Sequence, residues 1–243
     1  LLYAILGDIH SNFNALEVVL EEVKKAGADG ILSVGDIVGY GAEPSLCIQT
    51  IRGVAGTVVA GNHDYGAVNK TDIEYFNPEA REAVLWTSRQ LSQEENLYLS
   101  GLPLVIEKDN MTLVHGSLHL PELFAYIRTL YDAELCFSGL KNEVCFVGHT
   151  HVPVAIVRDG TIKAIGDPEV SLSALGGFPK AIVNVGSVGQ PRDRNPKACY
   201  ALYDTEKKLV RFKRAEYDIA AASAKIIKAG LPTFNAERIR WGI

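Results

Sequence analysis

Sulfur is scarce in this chain: 243 residues carry four cysteines and one methionine. Cys47, Cys136, Cys145 and Cys199 show no C-x-x-C spacing, which argues against a zinc knuckle or a redox pair and points to free thiols in a reducing compartment. Long apolar runs are missing too. The longest are strand-sized, and the first meets Gly7-Asp8 almost at once, so neither a signal peptide nor a membrane span is suggested, and a soluble cytoplasmic protein is expected. Positive charge is not in excess. A net charge of −5 gives no general attraction to polyphosphate backbones, which disfavours non-specific nucleic-acid binding. No Pro/Gly/Ser-rich linker, internal repeat or low-complexity tract divides the chain. With 47% hydrophobic residues it can bury one sizeable core, and a single domain over residues 1–243 is expected.

What the sequence does contain is a recurring arrangement. Thr57 to Ala60 is an apolar run that ends in Gly61-Asn62-His63-Asp64: a neutral oxygen ligand, an imidazole and a carboxylate in a row. Leu2 to Leu6 ends in Gly7-Asp8-Ile9-His10, Ile31 to Val34 in Gly35-Asp36, Thr112 to Val114 in His115, and Val144 to Val147 in Gly148-His149-Thr150-His151. Strands that finish together at one edge of a sheet would deliver all these side chains to one crevice, where open α/β sheets place their ligands.

The intervening pattern supports that layout. Phe13, Leu16, Val19, Leu20 and Val23 recur at helical spacing, with Asn14 to Glu17 as a capping-box-like start and Gly27 as a stop. A short helix around Leu46 to Ile51 follows the second strand, so β-α-β-α-β opens the chain and implies a parallel sheet. Residues 66–101 read as a helical excursion, with Asn77-Pro78 and Ser92/Glu95 as helix starts; plain packing against the core, in preference to a cap beside the crevice, is its expected role. Leu104 to Ile106 and Met111 to His115 form a hairpin across Asp109-Asn110, and helices are expected near Pro121 to Tyr131 and Asp132 to Leu140. The last hundred residues are strand-rich: a hairpin of Pro153 to Arg158 and Thr161 to Ile165 across a two-residue turn, a strand at Ile182 to Val185, and a hairpin of Tyr200 to Tyr203 with Leu209 to Lys213. Helices close the chain after Ile219. The fold class is α/β, with two mixed β-sheets packed face to face and flanked by helices.

On an extended backbone Asp8 and His10 point the same way, as do His149 and His151, so each pair can reach one ion. With Asp36, Asn62 and His115 they make seven candidate ligands, all oxygen or imidazole. That number exceeds one tetrahedral zinc, and the absence of thiolates argues against a structural site. Two divalent ions (manganese, iron, cobalt, nickel or zinc) roughly 3.5–4 Å apart account for it. Asp36, alone between the two groups, is the natural bridge.

These motifs in this order resemble the calcineurin-like metallophosphoesterases, whose five motifs would span the first 151 residues. The resemblance implies the two-sheet sandwich. It further implies that Asp8, His10 and His151 hold one metal, Asn62, His115 and His149 the other, and Asp36 bridges them. His63 would act as general acid at the leaving-group oxygen, oriented by Asp64. The chain lacks the Asp-Arg pair and third-motif glutamate of the protein serine/threonine phosphatases. Instead Asn184 to Asp193, Asn-Val-Gly-Ser-Val-Gly-Gln-Pro-Arg-Asp, resembles the Gly-Ser loop of small prokaryotic phosphodiesterases. Its glycines would let backbone approach a phosphate, and Arg192 would clamp a phosphate oxygen or else pair with Asp193 at the surface.

The implied activity is metal-dependent hydrolysis of a small phosphate ester, a diester in preference to a monoester, by attack of a hydroxide bridging two ions. The alternatives are a protein-binding scaffold of the same fold, like the retromer subunit, and a nuclease. Ser117 and His119 read as solvent-facing loop residues in preference to lining of the substrate pocket. Tyr40 reads as a base-stacking or loop-capping ring. The basic residues from Lys207 to Arg214 alternate with apolar ones and read as the solvated face of a strand in preference to a nucleic-acid patch.

Overall fold

Each central strand is apolar on both faces, and this decides the layering. The computed structural model describes residues 1–173 and 180–243. The first part of the chain runs β1 (Leu2–Leu6), α1 (Phe13–Lys25), β2 (Gly30–Ser33), α2 (Pro44–Val54), β3 (Thr57–Val58), α3 (Asn62–Ala67), α4 (Pro78–Gln90) and α5 (Gln93–Gly101). Next come β4 (Val105–Lys108), β5 (Met111–Val114), α6 (Leu130–Gly139), β6 (Val144–Val147), β7 (Val154–Arg158), β8 (Ile162–Ile165) and β9 (Glu169–Ser171). The last part holds β10 (Lys180–Asn184), β11 (Ala198–Asp204), β12 (Leu209–Ala215), α7 (Ile219–Lys228) and α8 (Thr233–Trp241).

Two mixed six-stranded sheets result, in the orders β3-β2-β1-β11-β12-β9 and β4-β5-β6-β10-β7-β8. In the first, β1, β2 and β3 are parallel, and β11 joins β1 antiparallel with Leu2 opposite Asp204. In the second, β5, β6 and β10 are parallel. Tyr3 and Ile5 of β1, Val144 and Phe146 of β6, and Ala181 and Val183 of β10 share the core between the sheets. Ala4 and Leu6 instead join the core made with α1, α2 and α5, while Cys145, Val147 and Ile182 meet Ala133, Cys136 and Phe137 of α6. Side chains of period two therefore build three apolar layers from one set of strands. A fourth cluster packs α7 and α8 onto α4 and Tyr40, behind the edge where the candidate ligands gather.

Several local expectations hold. Asn77 and Ser92 cap α4 and α5, the latter in a capping box with Glu95. Asp109 and Asn110 both take positive φ, 48° and 62°, as a two-residue turn between opposed strands requires. Others are corrected. The cap of α1 is Asn12, whose side chain accepts from the Ala15 amide, two residues before the expected start. The β7–β8 loop has three residues, because Arg158 faces Ile162. The helix expected over Pro121 to Tyr131 shrinks to one 3-10 turn, Pro121–Leu123. Leu120 and Phe124 on either side of it are left-handed, and Thr129 with Asp132 caps a separate helix, so the segment crosses the sheet edge as a loop.

Phe146 is fully buried between the sheets, with its ring 5.3 Å from that of Tyr203. Phe146→Ala is expected to cost about 3–5 kcal/mol of stability, visible as a lower urea midpoint with little change in slope.

Candidate metal centre and substrate cleft

The carboxyl ends of β1, β2 and β3 meet those of β5, β6 and β10 along one edge, and each candidate ligand lies in a turn leaving that edge or in the first turn of α3. The structure brings all seven together. Asp8 Oδ1 lies 3.1 Å from His151 Nε2 and 3.8 Å from His10 Nε2, and the two imidazole nitrogens are 3.1 Å apart. On the other side, His115 Nε2 stands 3.1 Å from Asn62 Oδ1 and 3.2 Å from His149 Nδ1. Asp36 Oδ2 lies between the groups, 3.6 Å from His10 Nε2 and 3.2 Å from His115 Nε2.

The convergence does not arise from extended backbone. Asp8, His10, Asp36, His149 and His151 all have left-handed φ, from 50° to 68°, and Ser11 and Tyr40 share it. For a residue with a Cβ this costs of order 1–3 kcal/mol, less for Asp, and it persists only where the surroundings over-determine it. The surroundings do so here. Amides of Asp8, His10 and Ser11 donate to carbonyls of Gly35, Asp36 and Ile37, lacing the first two turns together, and the His149 amide donates to the Asp8 carboxylate.

Hydrogen bonding also fixes which imidazole nitrogens carry lone pairs. His10, His115 and His151 direct Nδ1 at the carbonyls of Val38, Val34 and Gln190, at 3.0, 2.8 and 2.6 Å. Their Nε2 lone pairs therefore face one another and the carboxylates. Two lone pairs 3.1 Å apart repel unless a cation or proton lies between them. Asp36 Oδ2 is fully buried without a hydrogen-bond partner, a costly condition that cation binding would relieve. The donor set thus fits divalent metal. The electrostatics agree: burial lowers His10 and His149 well below the ordinary imidazole range, whereas at His115 burial is overcome by Asp36, which lifts it to about 9.

The Asn184 to Asp193 loop has a different role from the expected phosphate cradle. Its amides are used within the protein: Val188 and Gly189 donate to the carbonyls of Gly7 and Asp8, and Ser187 Oγ donates to the latter at 2.8 Å. A Cβ on Gly189 would collide with the Ile9 carbonyl oxygen, so glycine is required for this loop to press against the first ligand turn. Asn184 spans the turn after β6, donating to the Gly148 carbonyl and Thr150 Oγ1 and accepting from the Gly186 amide. The sequence shows the loop but not that it buttresses the ligands.

Asp64 does not touch the His63 ring. Its carboxylate accepts the amides of Val38 and Gly61, at 3.1 and 3.0 Å, tying the turn after β2 to that after β3, while the His63 amide donates to Asp36 Oδ1. What surrounds the His63 imidazole is aromatic: Tyr40, His10 and Phe76, with ring centroids at 4.5, 4.9 and 5.1 Å. Tyr40 is 4% exposed and packs on His10 and His63, so it is part of the wall. Arg192 donates to Gln190 Oε1 and to the Tyr40 hydroxyl, and Asp193 is engaged by Arg214 instead. Ser117 is buried, contrary to expectation, and its hydroxyl accepts the amide of the exposed His119.

Beside Asn62, His63 and His149 opens a cleft of about 590 Å³. One wall comes from residues 71–77, so part of the helical excursion borders the site as well as packing on the core; the other comes from residues 122–126, the segment misread as helix. There Tyr126 stacks on His149, centroids 3.8 Å apart, and Phe124 meets His115 edge-on. No sequence signal distinguished these rings. Replacing Asn184 with Ala is expected to weaken divalent-metal affinity about 10–100-fold, by the usual effect of losing a group that orients ligands, as read by calorimetric titration of manganese into chelator-treated protein.

Comparison with known proteins bears on this geometry. A solved metallophosphoesterase from Sphaerobacter thermophilus superposes with a TM-score of 0.88 at 37% identity, covering 100% of this chain and 99% of that one. The uncharacterised protein MJ0912 of Methanocaldococcus jannaschii is 37% identical over 98% of this chain and 97% of its own length. Phosphodiesterase YfcE of Escherichia coli K12 is 26% identical over 82% of this chain and 85% of its own. The model of the calcineurin-like phosphoesterase superfamily domain matches residues 1–208. Ligand turns at one sheet edge, a two-sheet sandwich and these matches agree: the chain belongs to the calcineurin-like phosphoesterase superfamily.

Proposed function

We propose that the protein is a dinuclear-metal phosphodiesterase. The observation that carries this reading is Asp36 Oδ2, buried, without a hydrogen-bond partner, and set between His10 and His115. Asp8, His10 and His151 would hold one divalent ion and Asn62, His115 and His149 the other, with Asp36 shared. Such ions supply Lewis acidity toward phosphoryl oxygens and acidify water.

The rest falls to the chain's own groups. His63 borders the cleft beside Asn62, and in this reading it meets the oxygen of a departing alcohol. Burial lowers it to about 4, so near pH 7 the free protein presents a neutral imidazole. An anionic ester seated beside it stabilises the protonated form, which then gives its proton to the leaving oxygen. Asp64 acts through the backbone, holding the His63 turn against the Asp36 turn. Arg192, steadied by Gln190 and Tyr40, keeps N–H groups for a phosphoryl oxygen.

The cleft supports a diester, since it has room for a second ester group beside the ligands, and a phosphodiesterase is among the relatives. A nuclease reading gains nothing from the basic strand, where Lys208, Arg211 and Arg214 pair with Glu143, Glu169 and Asp193. A scaffold has no need of seven buried donors.

His63→Gln is expected to lower kcat about 10²–10⁴-fold with metal content unchanged; undiminished turnover would remove its assigned role. With manganese bound, bis(p-nitrophenyl) phosphate should be cleaved with higher kcat/KM than p-nitrophenyl phosphate. The opposite ranking would make the protein a monoesterase.

A further inference from the structure

We infer that the cleft beside His63 selects the leaving group, taking a ring-bearing alcohol without negative charge, such as a phenol or a nucleoside. This inference rests on the phosphoesterase reading above and adds to it the chemistry of the departing group. The cleft is continuous with His63, Asn62 and His149, so the ester oxygen that His63 meets leads its substituent into that space. Its volume, about 590 Å³, suits a small organic group.

The walls indicate what kind of group. Tyr75 is 92% exposed and Leu123 67% exposed, yet they come from two separate segments to line one cavity. Apolar surface left so open in the free protein is surface that a ring can cover. Phe76 extends the same surface inward to the His63 imidazole. Charge narrows the choice further. Asp72 and Glu122 are the charged side chains of the lining, and no lysine or arginine joins them. Arg192 and Arg128 stand behind the lining rings, Arg192 donating to Gln190 and the Tyr40 hydroxyl and Arg128 covering a face of the Tyr126 ring. An anionic substituent in the cleft would face two carboxylates without a lining cation to offset them. Tyr75, Leu123, Asp72 and Glu122 are therefore specificity residues, and their exposure means that replacing them does not threaten the fold.

The test compares ethyl 4-nitrophenyl phosphate with its analogue bearing a carboxylate on the leaving ring, using manganese-loaded protein. Wild type should prefer the uncharged ring about tenfold or more in kcat/KM, and the D72N/E122Q double variant should bring that ratio towards one. The Y75A/L123A double variant should raise KM for the uncharged ester about tenfold, the scale of a lost hydrophobic pocket contact. Calorimetric affinities of the H63Q protein for the two esters should follow the same order. Equal kcat/KM for both esters in wild type, or ratios and KM unmoved in both double variants, would overturn the inference while leaving the phosphoesterase reading intact. Absence of metal-dependent turnover of either ester by wild type would sink that reading itself.

Discussion

Seven donors with their lone pairs turned toward one another, in a place that water barely reaches, are what the rest of this fold has to accommodate. Left alone, such an arrangement repels itself: Asp36 has no hydrogen-bond partner at Oδ2, and His10 and His151 face each other nitrogen to nitrogen. Cations would remove the repulsion, but the protein must hold the geometry whether or not they are bound. It does so with backbone. Carbonyls of Val34, Val38 and Gln190 set the imidazole tautomers, and amides near Asp8 and Asp36 are tied between adjacent turns. Left-handed residues, strained in isolation, become acceptable because so many bonds specify them.

The same logic explains the layers. A ligand turn is only as well placed as the strand that carries it, and the strands here are buried on both faces between three apolar layers. The interior is close-packed and resists displacement. The substrate cleft opens at the rim, where its two walls come from connections and not from the sheets.

Much of this was legible in the sequence. Apolar runs followed by Asp, Asn or His reveal both the strands and the edge they share, because a sheet has only one carboxyl edge for its parallel members. What sequence could not reveal depends on tertiary contact. Asp8 and His10 looked paired through extended backbone, but the turn is left-handed, a choice made by the neighbouring turn at Gly35 to Ile37. The run from Pro121 to Tyr131 has helix-compatible residues, yet Phe124 and Tyr126 are drawn onto His115 and His149, and that attraction overrides local preference. The Gly-Ser loop was visible as a motif. Its glycines could be read as room for a ligand or as room for another piece of backbone, and Ile9 proves to be the neighbour.

That neighbour has an implication for how the protein is made. Ile9 is translated some 180 residues before Gly189, and the β11 strand that borders β1 comes later still. Pairing across so long a separation is slow to nucleate. A nascent chain that has completed all five ligand motifs therefore still lacks the segment that seats them. Metal capture should consequently await synthesis of the Asn184 to Asp193 loop and β11, sparing the emerging chain from being cross-linked by an ion in a half-built arrangement.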